Sequence, residues 1–195
     1  MNTASNSNGI SDTSLRDHFL LAMPTLTDAL FAHSITYLCE HNADGAMGIV
    51  INHPLDLSLE EVLEHLHLSA GGRLKEIPVM AGGPVHMDRG FVLHRPTEHE
   101  WEASLQVTDE IILTTSRDIL VAMADAEGPA DSLIALGYAG WSAGQLESEI
   151  SDNSWLTLPA DSGIIFDTPY HLRASAAAAK LGVDMNLISG EAGHA

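Results

Sequence analysis

The stretch SLIALGYAGWSAGQLESEI, Ser132–Ile150, decides how this chain is read. Its first half, SLIALGYA, is an apolar run of strand length. Within the second half, Gly140-Trp141-Ser142-Ala143-Gly144 spells G-x-S-x-G, the nucleophile-elbow pattern of many serine hydrolases. An elbow needs a strand before the serine and a helix after it, and both are expected here. Chain order also allows Asp161 or Asp167, then His171 or His194, to complete a Ser–Asp–His set.

A capping reading accounts for more of the residues. Ser142 and Gln145 form S-x-x-Q, a capping box. Trp141 and Leu146 then occupy the two positions of a hydrophobic staple. Glu147 and Glu149 follow in the helix that starts there, where its positive end favours carboxylates. Ser58 and Glu61, with Leu57 and Val62, repeat the same grammar at SLEEVLEHL (58–66), where no nucleophile is suspected. Ser142 is therefore read as a cap, and its replacement by alanine is expected to cost about 1 kcal/mol.

Working outward, the remaining stretches alternate between strand and helix signals. HFLLAMP (18–24), SITYLCEH (34–41), AMGIVINH (46–53), IPVMAGGPV (77–85), GFVLHRP (90–96), IILTTS (111–116) and GIIFDTP (163–169) read as strands. LTDALFA (26–32) reads as a short helical turn. Asp44-Gly45 suits a tight hairpin. SLEEVLEHL, RDILVAMADA (117–126) and RASAAAAKLG (173–182) read as helices, the last closed by Gly182. Hairpins mixed with strand–helix alternation predict a mixed-sheet α/β (α+β) domain over residues 15–195. The Ser/Asn/Thr-rich residues 1–14 read as a loose tail.

The totals narrow the function classes. A length of 195 residues with 45% hydrophobic content supports one packed domain. Eight Lys+Arg face 27 Asp+Glu, a formal charge of -19. Such a surface disfavours direct nucleic-acid binding, whose affinity comes from cations on phosphates, and anionic membranes likewise. No apolar run approaches the roughly 18 residues of a membrane span. No basic-then-apolar leader opens the chain. Cys39, the single cysteine, allows no internal disulfide. The expectation is a cytoplasmic protein.

Other candidate chemistry is sparse. Cys39 and His41 alternate onto one strand face, yet two ligands make no zinc site. Neither H-E-x-x-H nor C-x-x-C occurs among the eleven histidines and one cysteine. No metal and no cofactor is expected. Gly82-Gly83 permits a tight turn or close backbone approach. Arg117 follows Thr114, Thr115 and Ser116 at a helix start, where an anion could be held. Internal salt bridges are the competing role for the arginines. Asn52 ends a strand, where it ordinarily bonds its own backbone.

Several long motifs, in order, carry a resemblance. HFLLAMPTLTDALFAHSITYLCEHNADGAMGIVINHPL, PVMAGGPVHMDRGFVLH, LTTSRDIL, ALGYAGWSAGQLESEI, NSWLTLPAD, IIFDTP and the final AGHA together resemble the AlgH/YqgE family of bacteria (DUF179, UPF0301). The family pattern G-W-x-x-G-Q-L-E is matched by Gly140, Trp141, Gly144, Gln145, Leu146 and Glu147. Ser142 stands where the family commonly has glycine. Leu172 or Arg173 stands where the family often has a tryptophan. The resemblance implies a bifurcated mixed sheet folded into a pseudo-barrel with flanking helices. It implies a non-enzymatic regulatory role through a protein or small-molecule partner, and it supplies no catalytic residues. Candidate ligand-binding residues are His41, Asn52, Gly82, Gly83, His94, Arg117, Trp141, Gln145 and Glu147. The alternative is an enzyme or small-anion-binding protein whose polar pocket uses His41, Asn52, His94 and Glu147.

Overall fold

The computed structural model describes residues 14–70 and 74–184. His194, the AGHA motif and all but the end of the expected tail lie outside them. In chain order the elements are β1 (His18–Ala22), β2 (Ile35–Asn42), β3 (Gly45–Val50), β4 (Pro54–Ser58), α1 (Leu59–His65), β5 (Pro78–Ala81), β6 (Val85–His94), β7 (Ser104–Gln106), β8 (Ile112–Thr114), α2 (Arg117–Ala124), β9 (Ser132–Ser142), α3 (Gln145–Ser151), β10 (Trp155–Pro159), α4 (Ser162–Phe166) and α5 (Tyr170–Lys180).

The quoted stretch supplies the strand on which the sheet is organised. Strands run in the order β10-β1-β2-β3-β9-β6-β8-β7. Along one edge, β9 pairs β6 from Ser132 to Tyr138. The other edge divides. Ile134–Leu136 takes β5 in parallel, and β5 carries β4. Ala139–Ser142 takes β3 antiparallel. The sheet is thus mixed and forked, and it curls into a half-barrel with flanking helices. This is the expected fold class.

Glycines make the fork possible. The Gly82 amide donates to the Leu136 carbonyl at 2.8 Å, and the Gly82 carbonyl accepts from Val50 at 2.9 Å. Its backbone therefore joins the two branches where they leave β9. A Cβ on Gly82 would stand 2.3 Å from the Gly137 carbonyl oxygen. A Cβ on Gly137, itself at φ +73°, would stand 2.3 Å from that of Gly83. No side chain fits either approach.

Three apolar clusters follow from the fork. Leu133 and Ala135 face the main core with Phe19, Tyr37 and Phe91, which Ile164, Ile165, Ala177 and Ala178 of α4 and α5 close over. The intervening Ile134 faces a second cluster with α1 and α2, around Leu59, Leu63 and Ile119. The far half of β9 puts Ala139 and Trp141 into a third, with Leu38, Leu146 and Trp155. Consecutive buried residues in Leu133–Ala135 reflect apolar packing on both faces.

Four details differ from the sequence reading. GIIFDTP is mostly helical: the Asp161 carboxylate accepts from the Gly163 amide at 2.8 Å and starts α4. A short apolar run has no period that separates strand from helix, and the cap decides it. Residues 86–89 (HMDR) do not separate two strands but bulge within β6, where the register shifts between Val85 and Gly90. β2 carries a bulge between Leu38 and Glu40. It leaves Cys39 in the main core and sets His41 opposite Ala46 of the third cluster. Cys39 and His41 therefore do not share a face. Finally, the Ser58 capping box is complete, but Ser142 is the last residue of β9. The cap of α3 is Gly144, left-handed at φ 75° with no side-chain cap bond.

Two glycines on one strand–helix unit test this account. Gly137→Ala is expected to destabilise by about 3 kcal/mol or more, combining left-handed strain with overlap at the fork. Gly144→Ala, where no atom lies within 4 Å of an added Cβ, is expected to lose only about 1 kcal/mol. Urea unfolding of both variants measures the contrast.

Candidate functional site

Four of the candidate residues converge where the ends of β2 and β9 meet α3. Gln145 reaches back, as a capping box requires of it: its Oε1 accepts from the Ser142 amide at 3.0 Å. The Ser142 hydroxyl does not cap the helix but donates to the same oxygen at 3.2 Å. Gln145 Nε2 in turn donates to Glu149 Oε1 at 2.9 Å. The other oxygen, Glu149 Oε2, accepts two indole N–H groups, from Trp141 at 2.9 Å and Trp155 at 2.8 Å. Those rings lie edge to face, 6.0 Å apart at 78°, and Phe31 packs on Trp155 at 5.6 Å. One carboxylate thus serves as common acceptor for a buried aromatic group, since each buried indole needs a partner.

Beside it, His41 Nε2 donates to Glu147 Oε1 at 2.7 Å. Its Nδ1 accepts the Leu15 amide at 2.8 Å. An amide only donates, so Nδ1 is bare and the ring is the neutral Nε2–H tautomer. The pair ties α3 to the segment entering β1. The Glu147 amide and then the His41 bond hold the Glu147 carboxyl below its usual range.

The other candidates lie apart. Asn52 Oδ1 accepts the Ile35 amide and its Nδ2 donates to the His33 carbonyl, both at 2.9 Å. Gly82 and Gly83 form the sheet fork. Arg117 donates to the Leu66 carbonyl at 2.9 Å, closing the C-terminal end of α1, so its guanidinium is committed to backbone. Arg95 does form the internal pairs expected of an arginine here, with Asp131 at 3.2 Å and Asp167 at 3.0 Å. No hydrogen bond joins Ser142 to Asp161, Asp167 or His171. Asp161 is held by Gly163 and Lys180.

His94 is fully buried. It stands 2.8 Å from the Arg95 carbonyl through Nδ1 and 2.8 Å from Thr114 Oγ through Nε2. The carbonyl only accepts, so Nδ1 carries the proton and Thr114 donates to Nε2. Ser104 Oγ, 2.7 Å from Thr114 Oγ, must then donate to Thr114. A directed chain runs from an exposed hydroxyl to a buried imidazole.

A cleft of about 1060 Å³ separates α1 and the segment before β5 from the α4–α5 corner. Glu60, Glu61 and Glu64 of α1 line one wall, and Thr168, Tyr170 and Arg173 the other. In sequence, α1 reads only as a capped helix and Arg173 only as a departure from the family pattern. The burial of Arg173, which no local pattern reports, is what brings this cleft to notice. Among the described residues, no group of three or more His, Cys, Asp or Glu is placed to hold a metal ion, and no helix is long and apolar enough to cross a membrane.

Two outcomes are expected. Glu149→Ala leaves two indoles without an acceptor and is expected to destabilise by about 2 kcal/mol or more, with a change in tryptophan fluorescence. Ser142→Ala keeps the Gln145–amide bond and is expected to cost less than about 0.5 kcal/mol, well under a cap's worth in the same chemical melt. A separate expectation concerns pH. Burial holds the His94 imidazole below its ordinary value of 6.5, and does the same for His53. The unfolded chain therefore binds more protons just below that value, so stability is full above about pH 6.5 and falls as the pH drops toward the folded-state values. Calorimetry from pH 8 to 5 should show this decline, flatter in His94→Gln.

Comparison with known proteins agrees with the fork and the motifs. The family model described as DUF179, AlgH-like, matches residues 19–186. A UPF0301 protein of Thioalkalivibrio sulfidiphilus is 58% identical over 95% of this chain and 99% of its own. One from Pseudomonas aeruginosa is 54% identical over 95% and 98%. The solution structure of the AlgH protein from Pseudomonas aeruginosa is similar over the whole of both chains, with 51% identity and a TM-score of 0.78. A crystal structure of a Corynebacterium diphtheriae protein, 16% identical, shares the fold at a TM-score of 0.67 over 90% of this chain and 91% of that one. The chain therefore belongs to the AlgH-like family, DUF179 or UPF0301.

Proposed function

We propose that this chain is a cytoplasmic, non-enzymatic binding protein that acts in regulation, affecting transcription indirectly through a protein partner or a small ligand. The observation that carries this reading is the commitment of its chemically capable side chains. The Ser142 hydroxyl donates to Gln145, and His41 links Glu147 to the Leu15 amide. At Ser142 and His41 such closed bonds hold elements together and leave no nucleophile beside a base. The charge of -19 supports a route to transcription other than direct DNA contact, and the cleft between α1 and α5 offers a place for a ligand.

A second reading, an enzyme, has one specific observation behind it, the Ser104–Thr114–His94 chain. A single experiment separates the two. Intact-mass analysis after treatment with a fluorophosphonate is expected to show no adduct. An adduct on Ser104 that His94→Gln abolishes would establish the enzyme instead, and one on Ser142 would restore the elbow.

A further inference from the structure

The cleft between α1 and α5 contains two buried charges of opposite sign, one without an ion pair among the described residues and one with only a long contact to an exposed lysine. Arg173 is only 8% exposed. Its Nε donates to the Thr168 carbonyl at 3.0 Å and its Nη1 to the Ile51 carbonyl. Among the described residues no carboxylate pairs with it, and Nη2 makes no hydrogen bond. Burial lowers its pKa to about 10, so it remains a cation at neutral pH. An unpaired buried charge is costly. Its position adds to the cost: Arg173 is the fourth residue of α5, near the positive end of the helix, and no side chain caps the first amides of that helix. Guanidinium, helix end and cleft all call for an anion.

The facing wall calls for a cation. Glu60 is 7% exposed, and its Oε2 is buried without a hydrogen-bond partner. Among the described residues its one cationic partner is Lys75 Nζ at 3.8 Å, on a side chain 72% exposed. Asp56, Glu61, Glu64 and Glu76 line the cleft on the same side. On the arginine wall the one acid, Asp167, is held by Arg95.

A simple anion would meet the acidic wall, and a simple polyamine would meet Arg173 and the helix end. A molecule with both charges satisfies both walls. The volume of about 1060 Å³ is that of a site for a ligand larger than a single small ion. We propose that this cleft binds a short zwitterionic peptide or amino acid, its carboxylate on Arg173 and the first amides of α5 and its ammonium on Glu60 and the neighbouring acids of α1. The assignment rests on the binding-protein reading above and names the ligand class for it.

Triglycine, glycine and two blocked peptides test this on the full chain. N-acetyl-triglycine lacks the ammonium, and triglycine amide lacks the carboxylate. Two-dimensional amide NMR is expected to show triglycine shifting Tyr170 and His171 together with Glu60 and Glu61. Each blocked peptide should bind roughly tenfold more weakly, having lost one charge-assisted contact. Binding of glycine as strong as that of triglycine assigns the site to free amino acids, and weaker binding assigns it to peptides; both support a zwitterion site. Arg173→Gln should abolish the shifts, but it also removes the bonds that anchor α5. Glu64→Gln, at an exposed position, should weaken triglycine while leaving the rest of the spectrum in place. Absence of shifts at tens of millimolar triglycine, or blocked peptides binding as well as the free one, overturns the assignment. That result would leave the binding-protein reading standing, because fluorophosphonate labelling is what removes it.

Discussion

Everything in this fold hangs on the close approach of backbone to backbone where β9 forks. Gly82 gives its amide to one strand and its carbonyl to another, and Gly137 and Gly83 leave no room for a methyl group between them. Without that contact the two branches could not leave the same edge of one strand. The three clusters would then lose their common wall, because Leu133, Ile134 and Trp141 reach them from a single strand. Sheet-based scaffolds usually avoid glycine in strand interiors; here it is what the branching requires.

A second constraint is polar. Trp141 and Trp155 bring apolar rings into a buried cluster, but each carries one donor that must be answered. Glu149 answers both and also binds Gln145. The G-W-x-x-G-Q-L-E pattern therefore reads as one mechanical unit: tryptophan for packing, glycine for the left-handed cap, glutamine for the strand end, and Glu147 for His41. Residues with the composition of an active site can be fully occupied in joining a strand, a helix and an entering chain segment.

The sequence made much of the fold legible. Apolar runs located β1, β2, β3, β8 and the start of β9, because their burial is dense enough to be seen without partners. The Ser58 box fixed the start of α1 to the residue. The elbow and the box at Ser142 were both half right, since the strand and helix are present but the cap falls on Gly144. Local patterns failed where tertiary partners decide. The bulge at Cys39 reverses the face of His41, β7 is too short to show a period, and NSWLTLPAD, which contains β10, reads as a motif and not as a strand. The candidate site was less legible. His41 and Glu147 lie 106 residues apart, and neither residue hints at the other. Arg173 looks like any surface arginine until its burial is seen. Asn52, His94 and Arg117 bond backbone groups or a hydroxyl 17 to 51 residues away, partners that their sequence neighbours do not announce.

The pairing of β1 with β10 has a consequence for how the molecule is made. His18 lies opposite Pro159 and Ala22 opposite Trp155, so the first strand finds its outer neighbour only after most of the chain has been synthesised. Until then one edge of β1 is an open template for another molecule. Closure of so long a loop is also slow compared with hairpin formation. On the ribosome, β2 and β3 can zip early, while completion of the sheet must wait until Trp155–Pro159 has emerged. The vulnerable interval in the life of this protein is therefore its birth, when an unpaired N-terminal strand is exposed to its own nascent siblings.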